Sequence, residues 1–94
     1  MAEQKVIRLP SRFDYAYHRT FGDAYEIFLG EVSVKVIVLD FSLVEYLDSS
    51  ALGMMVVMQK KMTAKNKQVK IKGAQGTAND ILKMANMNKL FEFL

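Results

Sequence analysis

One run of apolar residues constrains the fold more than any other stretch of the chain. Residues Ser33–Phe41 read S-V-K-V-I-V-L-D-F. Such a near-continuous run is typical of a central strand that is covered on both faces, or nearly so. A short extended segment at Val44–Leu47 follows, and residues Ser49–Ala64 then have the length and composition of a helix whose apolar positions cover more than one stripe. A buried strand that leads into a helix indicates an α/β domain with parallel strands.

Shorter patterns on both sides of this unit predict the rest of the fold. β-branched runs indicate strands, aromatic residues three or four positions apart indicate a helix, and Asp14 is placed to cap that helix. In chain order these elements are the strand Lys5–Leu9, a helix from Tyr15 to Gly30, the strand Val69–Lys72, a helix capped by Thr77 or Asn79, and a final strand Leu90–Leu94. The order β-α-β-α-β-α-β predicts a single α/β domain over residues 1–94. We expect a small mixed, mostly parallel sheet of four to five strands with about three helices.

The composition argues against several classes of protein. Hydrophobic residues make up 51% of the chain, which is enough for one core, and the absence of cysteine excludes disulfides and thiolate metal sites. The net charge of +3 is mild, and a nucleic-acid binder usually has a denser basic patch with stacking aromatics. We therefore expect no nucleic-acid partner and place the mid-chain lysines on the solvated surface. These lysines are Lys60, Lys61, Lys65, Lys67, Lys70 and Lys72.

The hydropathy pattern gives no sign of a membrane segment. No run reaches the ~18 apolar residues of a membrane span, and the first ten residues lack the apolar core of a signal peptide. We therefore expect a cytoplasmic protein that does not contact the membrane, and a monomer.

The predicted junction between strand and helix carries Asp48, Ser49 and Ser50. One interpretation is purely structural, because Asp48 can cap the helix and caps of this type are common. The other interpretation is a switch, because a serine at an exposed helix N-terminus is accessible to a kinase. A phosphate there would add about −1.5 to −2 charges beside Asp48 and would expel a docked partner while the fold survives. We predict Ser49 as the modified residue, with Ser50 as the second candidate.

The same serine can also be considered as the nucleophile of a small hydrolase. In this alternative His18 is the base, and Asp14 or Asp40 orients it. The residues around Ser49 do not form G-x-S-x-G, and His18, the only histidine, lies beside the aromatic face of the predicted first helix. One histidine and no cysteine also leave no convincing set of metal ligands. We favour a binding function over a catalytic one and expect no cofactor and no metal.

A longer motif contains the serine pair and identifies a family resemblance. Residues Asp40–Gly53 read D-F-S-L-V-E-Y-L-D-S-S-A-L-G, with supporting matches in R-F-D-Y-A-Y-H at Arg12–His18 and in the helix-then-strand ending at Met84–Phe91. The chain resembles the STAS-domain anti-sigma factor antagonists, in particular the single-domain proteobacterial type. Ala51 departs from the glycine that many members have at this position.

The resemblance implies a fold, a function and partners. It implies a STAS fold and an antagonist that binds an anti-sigma factor, commonly also a serine kinase, and thereby releases a sigma factor. It implies that the kinase phosphorylates Ser49 and that a Ser/Thr phosphatase, possibly fused to a response-regulator receiver, reverses the modification. An accessory subunit of a transporter and a stressosome-like scaffold are alternatives without a phospho-switch.

We expect the partner to bind at the strand-to-helix junction Leu47–Ser50 and on the exposed side of the following helix. Of the candidate methionines Met54, Met55 and Met58, we expect at least half to belong to the core. The candidate binding residues are Asp14, Leu47, Asp48, Ser49, Ser50, Ala51, Met54, Met55 and Met58.

Overall fold

The computed structural model describes residues 3–94 and consists of six strands and three α-helices. In chain order these are β1 (Glu3–Arg8), β2 (Arg12–Phe13), α1 (His18–Glu26), β3 (Val34–Asp40), β4 (Tyr46–Leu47), α2 (Ser49–Ala64), β5 (Gln68–Lys72), α3 (Gly76–Met84) and β6 (Glu92–Phe93). Short 3₁₀ turns at Tyr15–Tyr17, Ile27–Gly30 and Met87–Lys89 complete the helical parts.

The strands form two sheets in which every pairing is parallel. The main sheet has the order β1-β3-β5-β6, and β2 pairs only with β4 in a second, two-stranded sheet. The predicted α/β fold with a small, mostly parallel sheet and three helices is confirmed. The sequence did not predict the β2–β4 pairing, because each strand is only two residues long.

The hydrophobic core lies between one face of the main sheet and the helices. The strand register places Ile7, Leu39 and Ile71 side by side on this face. The buried side chains of all three helices belong to the same cluster, including Phe21, Met58 and Leu82. Burying a side chain of this size stabilises the fold by roughly 1.5–3 kcal/mol, so the core accounts for the docking of the helices.

The central strand is also buried on the opposite face of the main sheet, as predicted. On this face Val38 lies between Val6 and Lys70. Val38 is buried by its neighbours, but Val6 is 50% exposed. The helices therefore cover β3 on one face, and side chains of the adjacent strands shield the other.

Three predicted element boundaries are wrong. The predicted helix from Tyr15 to Gly30 is divided, because 3₁₀ turns replace α-helix at both of its ends. Helix α3 begins at Gly76 with Gln75 as the N-cap residue, so Thr77 and Asn79 lie inside the helix and do not cap it. The last strand is reduced to Glu92–Phe93, because the chain first makes a 3₁₀ turn and then pairs only with the end of β5.

The prediction that all mid-chain lysines are solvated is wrong for Lys67. Its side chain is buried, and its ammonium group donates to the carbonyl oxygens of Glu31 (2.7 Å) and Val34 (2.6 Å). Glu31 lies in the turn before β3 and Val34 is the first residue of that strand, whereas Lys67 lies in the turn between α2 and β5. The hydrogen bonds of Lys67 therefore link the turn before β3 to the turn before β5, which is distant from it in sequence.

We expect Lys67→Met to lower the free energy of unfolding by about 2–3 kcal/mol, because hydrogen bonds to charged groups are strong and the freed carbonyls stay largely buried. Urea unfolding followed by circular dichroism measures this change. Lys65→Met removes an exposed lysine from the same turn and should change stability by no more than about 0.5 kcal/mol. Equal effects of the two substitutions would contradict the assigned role of Lys67.

Candidate functional site

The paired short strands bring two acidic helix caps to one edge of the molecule. In the parallel register of β2 and β4, Phe13 lies opposite Leu47, so the next residues, Asp14 and Asp48, are neighbours. An Asp14 carboxylate oxygen accepts from the backbone N–H of Ala16 at 3.0 Å, and an Asp48 oxygen accepts from that of Ala51 at 3.0 Å. The 3₁₀ turn that leads into α1 and the helix α2 thus begin side by side, each with an aspartate cap.

Buried side chains on the two short strands hold this arrangement in place. Phe13 is fully buried and packs against Phe21 and Phe41, with ring centroids 5.3 Å and 6.2 Å away. Leu47 is buried beside it. These contacts fix the two strands on the core, and the chain then leaves the core at each aspartate. The packing of Phe13 and Leu47 therefore sets the position of the capping aspartate that follows each of them.

Ser49 and Ser50 are the first two residues of α2, and both are exposed. The predicted N-cap role of Asp48 is confirmed by its hydrogen bond to Ala51. The first backbone N–H groups of a helix have no intrahelical acceptor, and the helix dipole is positive at this end. A new anionic group on either hydroxyl would therefore meet a favourable local field within this chain and would face solvent.

An arginine that was not singled out from the sequence lies beside the site. Arg12 Nε donates to a carboxylate oxygen of Asp14 at 2.7 Å, and its guanidinium carbon lies 4.6 Å from the centroid of the Tyr46 ring. The hydrogen bond to Asp14 raises the pKa of Arg12, with a smaller contribution from Asp48. The junction therefore combines two carboxylates with one fixed cation and an exposed aromatic ring. Only the unpredicted β2–β4 pairing reveals this neighbourhood, because it sets Arg12 opposite Tyr46.

The structure divides the predicted binding residues into surface and core. Ser49 and Ser50 are exposed, and Asp14, Asp48 and Met54 are partly exposed. The side chains of Leu47, Ala51, Met55 and Met58 are buried in the hydrophobic cluster. These four side chains lie on the side of β4 and α2 that faces the core.

In the residues that it describes, the structure does not join Ser49, His18 and an aspartate by hydrogen bonds, as the hydrolase alternative requires. The His18 ring stacks on Tyr15 with centroids 5.0 Å apart, and within residues 3–94 no hydrogen bond joins it to Ser49 or to either aspartate. Asp14 caps the first turn and binds Arg12. Asp40 lies at the end of β3, where it binds the backbone N–H of Ser42 at 2.9 Å and approaches Arg8 at 3.5 Å.

The environment of Asp40 keeps its side chain ionised. The hydrogen bond from the Ser42 backbone lowers the pKa of Asp40, against an opposing effect of burial. Because the pKa in the folded chain lies below its ordinary value, the carboxylate contributes stability at neutral pH. That contribution is lost as the pH falls through the lowered pKa. The ionised carboxylate of Asp40 therefore has a structural role at the end of the central strand.

Within residues 3–94, no three or more histidine, aspartate or glutamate side chains are grouped so that they could hold a metal ion. None of the helices in the same part of the chain is both long enough and apolar enough to cross a bilayer.

Comparison with known proteins gives one family and several similar folds. The family model described as "Mlab, STAS domain" matches residues 1–92. A STAS-domain containing protein of Pseudomonas aeruginosa (strain UCBPP-PA14) is 31% identical over 90 residues, which cover 96% of this chain and 87% of that protein.

The solved structures are similar in fold at low sequence identity. The anti-sigma factor antagonist SpoIIAA in its unphosphorylated form matches with a TM-score of 0.80 at 15% identity, covering 97% of this chain and 80% of SpoIIAA. The phosphorylated form of the Bacillus protein matches with a TM-score of 0.70 at 16% identity, covering 95% of this chain and 80% of that one. The SulP transporter STAS domain from Vibrio cholerae matches with a TM-score of 0.76 at 21% identity, covering 98% of this chain and 73% of that domain.

These findings agree with one another on the fold and on the family. The family match extends over almost the whole chain, and the fold is similar to that of SpoIIAA. Similar folds occur both in an anti-sigma factor antagonist and in a transporter domain, so the fold alone does not select a function. The chain therefore belongs to the STAS-domain family.

Proposed function

We propose that this chain is an anti-sigma factor antagonist that works by partner switching. In its unphosphorylated form it binds an anti-sigma factor that is also a serine kinase, and a sigma factor is released. The kinase phosphorylates Ser49, which blocks binding, and a Ser/Thr phosphatase, possibly fused to a response-regulator receiver, restores the active form. We place this exchange in the cytoplasm and expect a monomer that is not itself an enzyme.

The observation that carries the proposal is the exposed Ser49 hydroxyl at the first position of α2, beside the capping carboxylate of Asp48. An exposed hydroxyl is accessible to the active site of a kinase. A phosphate there would be tolerated by the fold, because the helix N-terminus favours negative charge. The same phosphate would concentrate negative charge on the surface beside Asp14 and Asp48. Binding and folding would therefore respond differently to one modification.

The test is the intact mass of the tagged chain purified from its native cells, before and after phosphatase treatment. We expect one phosphate group on part of the wild-type chain, none on Ser49→Ala, and an unchanged fraction on the matched variant Ser50→Ala. A serine kinase should co-purify with Ser49→Ala. A phosphate that persists in Ser49→Ala and disappears in Ser50→Ala would show that the assignment of the modification to Ser49 is wrong. The absence of both phosphate and kinase would overturn the proposal.

A second candidate is an accessory part of a transporter, or of a stressosome-like scaffold, without a phospho-switch. The transporter role stays a candidate because the SulP transporter STAS domain has a similar fold. In that case the chain would carry no phosphate at Ser49, and a transporter ATPase would co-purify in place of a kinase. The same experiment thus separates the two functions.

A further inference from the structure

The side chain of Arg12 lies beside the junction Leu47–Ser50 with most of its hydrogen-bond donors unused. This side chain is 70% exposed. A guanidinium group has five N–H donors, and within residues 3–94 the side-chain hydrogen bonds of Arg12 involve only Nε, which donates to Asp14 at 2.7 Å. The donors of the two terminal nitrogens are therefore available to a further acceptor.

The hydrogen bond to Asp14 directs the guanidinium group of Arg12 along β2, toward the start of α2. Arg12 lies opposite Tyr46 in the β2–β4 register, and Ser49 follows Tyr46 by three residues. Three residues of extended chain and one spacing between strands put the Cα atoms of Arg12 and Ser49 about 11 Å apart. An arginine side chain and a phosphoserine side chain that point toward each other together cover this distance. The charge of Asp48, the residue before Ser49, also contributes to the raised pKa of Arg12.

Two other basic side chains, His18 and Arg19, lie near the serine pair, and both belong to α1. They line a groove between α1 and α2 together with Ser50, whereas Ser49 does not line it. The two serines therefore have different surroundings, because Ser50 shares the groove with the basic residues of α1. Arg12 is on the strand that pairs with the segment leading to Ser49, so it is the better placed cation for a group on Ser49.

We propose that Arg12 binds the phosphate of phosphorylated Ser49 within the same chain and releases Asp14 in exchange. A phosphate has three acceptor oxygens and about twice the charge of a carboxylate, and a guanidinium group binds it in a bidentate geometry. Asp14 keeps its hydrogen bond from the backbone N–H of Ala16, so it still caps the turn before α1. Phosphorylation thus changes the surface twice, because it adds the phosphate and removes the cation from Asp14. This inference rests on the proposed function and specifies which residue holds the phosphate.

The pKa of the phosphate, followed by phosphorus NMR over a pH titration, tests this pairing. Phosphoserine is placed at position 49 by genetic code expansion, so the measurement does not depend on the kinase. A nearby cation favours the dianion and therefore lowers the second pKa of the phosphate from its ordinary value of about 6. We expect Arg12→Gln to raise this pKa by about 0.5–1 unit. Arg12→Lys keeps the positive charge and should recover at least half of that change.

Two further arginines serve as controls for the titration. Arg8 is matched to Arg12, because its side chain is 68% exposed and lies 3.5 Å from the carboxylate of Asp40, so Arg8→Gln should leave the phosphate pKa unchanged. Equal rises in Arg8→Gln and Arg12→Gln would indicate a general effect of net charge and would overturn the inference. A rise in Arg19→Gln alone, or in none of the variants, would also overturn it. These results leave the proposed function standing, because that function is tested by the phosphate that Ser49 carries in native cells.

Discussion

Replacing Met58 by alanine is expected to lower the free energy of unfolding by about 2–5 kcal/mol, the usual cost of a cavity at a fully buried methionine. Met58 has no exposed surface and lies in the cluster under the sheet. Met54→Ala, at a half-buried residue of the same helix, should cost about 1 kcal/mol or less. Urea unfolding of both variants compares their free energies of unfolding. If the slope of that free energy against urea concentration is unchanged, a shift of the midpoint reports a change in stability.

A matched pair of variants separates this effect from binding. Met58→Leu nearly conserves volume and should cost less than about 1.5 kcal/mol, and its partner affinity should equal that of the wild type. Met54→Ala should remain folded and should weaken partner binding. A Met58→Ala variant as stable as Met54→Ala would mean that α2 is rotated about its axis relative to the orientation described above.

The methionines show why the sequence predicted the helix but not its buried face. The buried stripe of α2 consists of Ala51, Met55, Met58 and Met62. The other sides of the helix are also largely apolar, with Leu52, Met54, Val56 and Val57. A helix that is apolar on most sides has no preferred inner face from its period alone. The packing of α2 on the sheet makes the choice, so Met55 and Met58 could not be distinguished from Met54 beforehand.

The two short strands and Lys67 show a second reason why the prediction was incomplete. A strand of two residues has too few positions for an alternating pattern. The extended segment that contains Tyr46–Leu47 was therefore predicted, but its pairing with Arg12–Phe13 was not. Lys67 resembles its exposed neighbours in sequence, and only the approach of the turn before β3 buries it. By contrast, the long apolar run of β3 and the Asp48 cap depend on local sequence, and both were predicted correctly.

Phosphorylation of Ser49 is expected to weaken binding of the kinase partner by about 100-fold. A phosphate of about −2 charges that lies ~6 Å from half a negative charge, such as a helix C-terminus, is repelled by roughly 3 kcal/mol at an effective dielectric of about 20. That repulsion corresponds to about a 100-fold change in Kd. Ser49→Glu has a single charge and should weaken binding by about tenfold, and Ser49→Ala should bind as the unmodified chain does.

The graded series Ala, Glu and phosphoserine at position 49 tests whether charge itself is the switch. Isothermal titration of the purified kinase partner at two salt concentrations measures it, and the Glu and phosphoserine penalties should shrink at the higher concentration, because salt screens exposed charges. Gln4→Glu adds the same charge on the open face of the sheet, at an exposed residue remote from the junction, and should leave Kd unchanged. If Ser49→Ala binds as weakly as Ser49→Glu, the hydroxyl is a direct contact of the partner, and its charge does not control binding.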